Sequence, residues 1–232
     1  MKRIAIVQSN YIPWKGYFDL IRFCDEFVLY DDVQYTRRDW RNRNLIKTPH
    51  GLHWLTIPVE VKGRYLQRIR DTRVSDPGWG RKHWAVLRHN YAKAPFFQRY
   101  RECLEALYLA PSPEYLSEIN RIFLEAIAPE LGIRTPISFS GDYELAEGRS
   151  ERLLGICRAA RADVYLSGPA ARGYLDEGLF AAAGIRVEWM DYSGYAQYPQ
   201  LFGAFEHGVS VLDLLFNAGP DAWKYMKHPE GV

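Results

Sequence analysis

Three clusters within the first fifty residues carry side chains suited to chemistry. The first is Gln8-Ser9-Asn10-Tyr11-Ile12-Pro13-Trp14-Lys15-Gly16-Tyr17-Phe18. It follows the apolar run Ile4-Ala5-Ile6-Val7 and precedes an amphipathic stretch, so it joins a strand to a helix. A helix opening presents free backbone N–H groups and the positive end of a dipole, which suits an anion. Gln8, Asn10, Tyr11, Trp14 and Tyr17 are its candidate ligand contacts. The plain alternative is that Pro13, Trp14 and Tyr17 wedge the helix against the sheet. With Gly16 as its one glycine, the cluster is neither a dinucleotide fingerprint nor a Walker A loop.

The second cluster, Asp31-Asp32-Val33-Gln34-Tyr35, follows the apolar run Phe27-Val28-Leu29-Tyr30. A carboxylate at a strand's end suits a general base, an acceptor for a sugar hydroxyl, or a Mg²⁺ ligand beside a phosphate. Asp31 and Asp32 are the catalytic candidates and Gln34 a binding one. Adjacent side chains diverge, so one acid would face a cleft while the other caps a turn. An ordinary pair of turn acids is the alternative. The third cluster runs from Arg37 to Lys47 and supplies Trp40, Arg41, Arg43, Asn44 and Lys47. Guanidinium forks fit phosphate or carboxylate bidentately. Trp40 and Trp54 offer faces to a sugar or a base. Basic residues interleaved with aromatics also fit RNA, although the segment holds no known nucleic-acid motif.

Later signals are sparser. Ser167-Gly168-Pro169 reads as a turn after a strand and a candidate substrate contact, but no Gly-x-Ser-x-Gly elbow surrounds Ser167. Tyr195, Gln197 and Tyr198 form a polar aromatic loop that either lines a pocket or packs. His83 and His89 are six apart, whereas one helix face needs a spacing of three or four. Cys24, Cys103 and Cys157 are scattered, with neither metal-ligand spacing nor a disulfide framework. No metal site is expected, and the residues name no cofactor.

The elements that must position these clusters alternate. A strand at Ile4–Val7, a helix at Tyr17–Phe23 and a strand at Phe27–Tyr30 make a βαβ unit with its functional loops at the carboxyl edge. Leu45–Lys47 and His53–Val59 flank the turn signal Thr48-Pro49-His50-Gly51 and predict a hairpin. Tyr65–Val74 reads as a further strand. Helices are expected over Trp79–Tyr91 and Phe96–Tyr108, then from a Ser112 cap to Gly132. A strand at Pro136–Phe139 follows, then a helix capped by Ser150, a strand at Asp163–Leu166, a helix over Arg172–Ala183, a half-buried strand at Ile185–Trp189 and a helix over Ser210–Asn217. Five strands alternating with helices predict an α/β, Rossmann-like, mostly parallel sheet with an inserted β-hairpin and helical subdomain. The expected division is a core of residues 1–44 and 132–227, an insertion at 45–131, and a flexible tail at 228–232.

Composition narrows the function classes. The chain has 232 residues, 47% hydrophobic and 25% charged, which is globular composition. It lacks an apolar run of about 18 residues, so no membrane span is expected. The N-terminal apolar run stops at Gln8, too short for a signal peptide, and a cytoplasmic location is the expectation. Residues 1–100 hold 19 Lys+Arg against 9 Asp+Glu, a balance of +10, and the remainder holds 11 against 19, or −8. A basic first half favours an anionic small-molecule substrate such as a nucleotide sugar or a phosphorylated compound, with RNA as the minor possibility. A solvated basic face is the alternative reading.

The chain resembles the WbqC-like family. The motifs that carry the resemblance are Gln8 to Phe18, Asp31 to Gln34, Asn42 to Lys47, and Trp54 to Val59. Further matches are Tyr165-Leu166-Ser167-Gly168, Tyr174-Leu175 and Ser210 to Gly219, so the resemblance spans nearly the whole chain. The strand–loop–helix layout is also similar to that of nucleotidyltransferases and class I synthetases. Those use paired histidines there, and this chain has none before His50. The WbqC-like resemblance implies a context of O-antigen and other surface-polysaccharide clusters. It suggests a transferase that modifies an amino sugar or nucleotide-linked sugar by N-acyl or aminoacyl transfer. The alternatives are a non-catalytic sugar-nucleotide or RNA-binding protein, or a partner subunit of a biosynthetic complex.

Overall fold

The computed structural model describes residues 1–228. Five short strands form one sheet: β1 (Arg3–Val7), β2 (Glu26–Leu29), β5 (Ile137–Phe139), β6 (Val164–Ser167) and β7 (Arg186–Trp189). Their spatial order is β5-β2-β1-β6-β7, and every neighbouring pair is parallel. The chain moves outward on one side of β1 and then returns to build outward on the other. This is a doubly wound order, with its topological switch between β1 and β6. The mostly parallel Rossmann-like sheet expected from the alternation is therefore present.

Strand alternation sorts the two faces. Ile4, Ile6, Val28 and Tyr165 pack against Leu153, Leu154 and Cys157 of α5 (Arg149–Ala159) and Phe180 of α6 (Glu177–Ala182). Ala5, Phe27, Leu29 and Leu166 join a larger core with α1 (Lys15–Arg22), α4 (Leu116–Ile127) and α7 (Val211–Ala218). Both faces are covered over the central strands, so β1, β2 and β6 read as continuous apolar runs, while the edge strand β7 alternates and is half-buried. The same larger core takes in Ile46 and Leu55 of the antiparallel hairpin β3 (Arg43–Thr48) and β4 (Gly51–Thr56). It also takes in Trp84 of α2 (Trp79–Tyr91) and Phe97 of α3 (Phe97–Leu109).

Several expected elements differ. Tyr65–Val74 is not a strand: it holds a short 3-10 turn at Ile69–Asp71 and only isolated bridges, Gln34 to Arg68, Val59 to Val74 and Arg73 to Tyr115. Its arginines are used as side-chain donors instead. Ser112 does not cap α4, which starts at Leu116; its hydroxyl accepts from the Trp79 indole at 3.1 Å. Ser150 does not cap α5, because Gly148 holds that position, and Ser150 Oγ accepts from the Asp176 amide at 3.1 Å. The helix expected over Arg172–Ala183 is shortened to Glu177–Ala182, with Asp176 as its cap. Ser210 does cap α7, its hydroxyl accepting from Leu212 N. Of the expected tail, residues 229–232 lie outside the described residues.

Between β7 and α7, residues 191–209 contain no helix and no strand. Side chains hold this segment. Tyr195 Oη donates to Asp19 at 2.6 Å, Tyr198 Oη donates to Asp213 at 2.7 Å, and Lys15 Nζ donates to the Ala196 carbonyl at 3.1 Å. Lys47 Nζ donates to Gln200 Oε1 at 2.7 Å and also to the Ala204 carbonyl. The amides of Leu201 and Glu206 donate to Asn217 and Gln200 side chains. No helix among the described residues is long and apolar enough to cross a membrane.

Candidate functional site

The strand ends at the topological switch open into a cleft of about 770 Å³. Gln8 follows β1, Asp32 and Gln34 follow β2, and Ser167 and Gly168 close β6. Trp14 and Tyr17 enter from the loop before α1 and its first turn. Seven of the sequence-derived candidates thus share one cavity, at the edge where doubly wound sheets bind ligands.

The loop from Gln8 to Trp14 is clamped in place. Ile12 lies in the left-handed region at φ 36°, which is strained for a β-branched residue. Asn44 Nδ2 donates to the Tyr11 carbonyl at 3.1 Å and the Ile12 carbonyl at 3.0 Å, while Asn44 Oδ1 accepts from Leu45 N at 2.8 Å. The Tyr11 amide donates to Trp40 O, and Pro13 O accepts from Val211 at the start of α7. Arg41 Nη1 reaches the carbonyls of Gln8 and Ser9 at 3.3 and 3.4 Å and the Asn10 side-chain oxygen. Tyr17 Oη donates to the Gln8 carbonyl at 3.0 Å. Gly16 has its own reason. A β-carbon there would sit 2.3 Å from Trp14 Cζ2, so glycine lets the indole fold back over the helix start.

Other candidates sit away from the cleft. Tyr11 is fully buried, and its hydroxyl meets His83 Nδ1 and Tyr108 Oη, each at 2.9 Å. Asn44 is the loop clamp just described. Lys47 is buried beneath the 191–209 segment. Arg43 lies over the Trp54 ring at 4.0 Å and also donates to the Arg38 carbonyl. Trp40 and Trp54 pack together near the protein surface, ring centroids 5.4 Å apart.

The two adjacent acids have separate surroundings. Asp31 is buried and accepts from the Ser9 amide at 2.8 Å and from the Ser117 hydroxyl. Burial raises its carboxyl above the usual range, and those hydrogen bonds offset the rise only in part. Asp32 is on the cleft wall. Its Oδ1 accepts from Arg70 at 2.9 Å and Arg68 at 3.3 Å, and its Oδ2 accepts from Ser140 at 2.9 Å. The arginines of the Tyr65–Val74 segment thus reach back across the chain to this carboxylate.

The structure adds residues that the sequence reading did not select. Arg149 and Arg152, in the first turn of α5, line the same cleft as Gln8 and Asp32, together with Gly148. No side chain caps that helix. Two cations and an amino end without a side-chain cap favour an anion there, opposed by the Glu151 carboxylate of the same turn, which lies against Gly148. Tyr30, Tyr165, Tyr174 and Tyr192 complete an aromatic lining. Burial pushes the Tyr192 phenol up to about 12, so it is a neutral hydrogen-bonding group at physiological pH. A signal for the arginines existed. In a parallel sheet the helix after each strand opens at the carboxyl edge, and a helix start near Ser150 was legible.

The model of the WbqC-like protein family matches residues 8–225. An uncharacterised protein of Mycobacterium tuberculosis, Rv1507c, is 54% identical over 228 residues, covering 98% of this chain and 99% of that protein. No solved structure matches the chain. The matched span holds every residue of the cleft beyond Val7, and the chain belongs to the WbqC-like protein family.

Proposed function

We propose that the cleft binds a nucleotide-linked or phosphorylated amino sugar and that the protein transfers an acyl or aminoacyl group to its amine, in surface-polysaccharide or related glycan biosynthesis. The observation that carries this reading is the polarity of one cavity at the β1–β6 switch. Arg149 and Arg152 stand on the α5 start, Asp32 stands at the end of β2, and tyrosines line the same cavity. A phosphate is attracted to the first group and an amine or hydroxyl to the second. Membership of the WbqC-like family supports the glycan context. In the reaction, the amine attacks the carbonyl of an activated donor, a C–N bond forms and the donor's leaving group departs. Asp32 receives or orients the amine proton. Asp31, which holds Ser9 and Ser117, acts as a positioning residue behind it.

The test is calorimetric titration with uridine and thymidine diphosphate sugars, followed by turnover with the sugar that binds. Arg149→Ala and Arg152→Ala should weaken binding. Losing a positioned proton acceptor typically lowers rate by about 10²–10⁴-fold. Unchanged turnover in both Asp31→Asn and Asp32→Asn would sink the catalytic assignment. One observation favours a second reading, a binding protein without turnover: both oxygens of Asp32 are already engaged by Arg68, Arg70 and Ser140. That reading predicts nucleotide-sugar binding with no product from any acyl donor.

A further inference from the structure

Trp14 is a wall of two cavities. Besides the cleft, it lines a smaller pocket of about 310 Å³ with Asn10, Pro13, Trp40 and His207. The floor and sides of this pocket are mostly apolar ring and proline surface. Trp40 keeps 41% of its surface in water and its partner Trp54 keeps 38%. The two indoles are tilted against each other at 43°, Arg43 covers Trp54, and the Trp40 ring is left as an exposed aromatic face on the cavity wall.

The nearby charges are already committed. Arg41 is turned inward onto Gln8, Ser9 and Asn10, and Arg43 is laid over Trp54 and bonded to the Arg38 carbonyl. Glu206, beside His207, accepts from the Gly208 amide at 2.9 Å, and the remaining polar side chains of the pocket, Asn10 and His207, are neutral. Asn10 gives its oxygen to Arg41, which leaves its amide N–H groups for a ligand. Burial and the Lys15 charge lower the His207 imidazole below its usual value, so at physiological pH it offers one donor and one acceptor. A small apolar pocket with a flat indole and a few neutral hydrogen-bonding groups suits an uncharged polyol ring better than a phosphate.

We infer that the Trp40 pocket is a second ligand subsite that takes a hexopyranose ring, stacked on the exposed Trp40 face with its hydroxyls toward Asn10 and His207. The size fits one ring, being less than half that of the neighbouring cleft. The subsite stands whether or not a nucleotide sugar occupies the cleft. With both filled, Trp14 is the surface the two ligands share.

The test uses the full chain and methyl glycosides of glucose, galactose and N-acetylglucosamine as probes, read by saturation-transfer NMR and by tryptophan fluorescence titration. Wild type should saturate the pyranose ring protons of at least one glycoside. Trp40→Ala should weaken that binding by about tenfold or more, as loss of an aromatic contact does. Trp40→Phe, which keeps a smaller ring, should fall between them and controls for folding. Arg152→Ala should leave it unchanged. Absence of saturation transfer to all three glycosides in wild type would overturn the proposal. So would equal binding in Trp40→Ala, or a loss confined to Arg152→Ala, which would put the ring in the cleft. A dimer that dissociates on Trp40→Ala, with no glycoside bound, would assign the patch to a second copy of the chain and also overturn it. Failure of nucleotide sugars to bind, with glycoside binding intact, would refute the reading of the cleft alone.

Discussion

Replacing Asn44 by alanine should cost about 3 kcal/mol of stability and also weaken ligand binding in a cleft that Asn44 does not line. Asn44 is buried, and its amide makes three hydrogen bonds, two to the successive carbonyls of Tyr11 and Ile12 and one from its own neighbour Leu45. Each such bond contributes about 1 kcal/mol net, and the groups left behind are enclosed. The variant also releases the clamp on Ile12, whose φ of 36° holds strain of order 1–3 kcal/mol. Relief of that strain partly offsets the loss, and the means of relief is movement of the loop. Urea unfolding followed by fluorescence gives the stability change, and titration with whichever nucleotide sugar binds wild type gives the second effect. A stability loss below about 1 kcal/mol would refute the clamp. A full stability loss with unaltered binding would show that the geometry of Gln8 to Trp14 does not set the cleft.

Three further outcomes follow from particular contacts. His83 is buried and its imidazole is lowered to about 4 from 6.5, so the unfolded chain takes up its proton first as pH falls. Its contribution to stability is complete above pH 6.5 and is lost between 6.5 and about 4, by at most about 1.4 kcal/mol per pH unit. Chemical denaturation across that window should show this slope in wild type and a flatter one in His83→Gln. Gly16→Ala should displace the Trp14 indole, because the new β-carbon would lie 2.3 Å from its Cζ2. A shifted emission maximum and weakened binding at both cavities would report the displacement. Gly80→Ala should destabilise by about 1–3 kcal/mol despite better helix propensity, since its β-carbon would meet the Tyr108 carbonyl oxygen at 2.2 Å. Gly155→Ala, whose nearest neighbour is Ala146 Cβ at 3.8 Å, should instead stabilise by about 0.5–1 kcal/mol. Thermal melts of the two alanine variants give the comparison.

The sheet was legible because its strands are short β-branched or aromatic runs cut off by polar residues, and helices lie between them. The hairpin was legible from Thr48 to Gly51. Tyr65–Val74 was misread because its alternation reflects arginines pointing at Asp32 and Asp71 rather than a ladder of backbone bonds. Caps at Ser112 and Ser150 were misread because each hydroxyl has a tertiary partner, Trp79 or Asp176, that local sequence does not reveal. At the site, Gln8, Trp14, Tyr17, Asp32, Gln34, Ser167 and Gly168 were drawn into one cleft by their positions after strands. Tyr11, Asn44 and Lys47 share the motifs but not the cavity. A motif marks a loop of fixed shape, and polar residues such as Arg41 and Asn44 make that shape.

The segment 191–209 crosses from β7 to α7 on side-chain anchors alone, and Tyr192 on it forms part of the cleft wall. No ladder of backbone bonds links its detachment to melting of the sheet. Its amide protons should therefore exchange with solvent well before those of β1 and β6, through partial openings that leave the rest of the chain folded. The anchors include two buried aspartates, Asp19 and Asp213, both raised above the usual carboxylate range by burial. Ionising either one taxes the closed arrangement. These openings should therefore become rarer as acid keeps the two aspartates neutral, and any ligand that passes Tyr192 to reach the cleft should exchange more slowly with them.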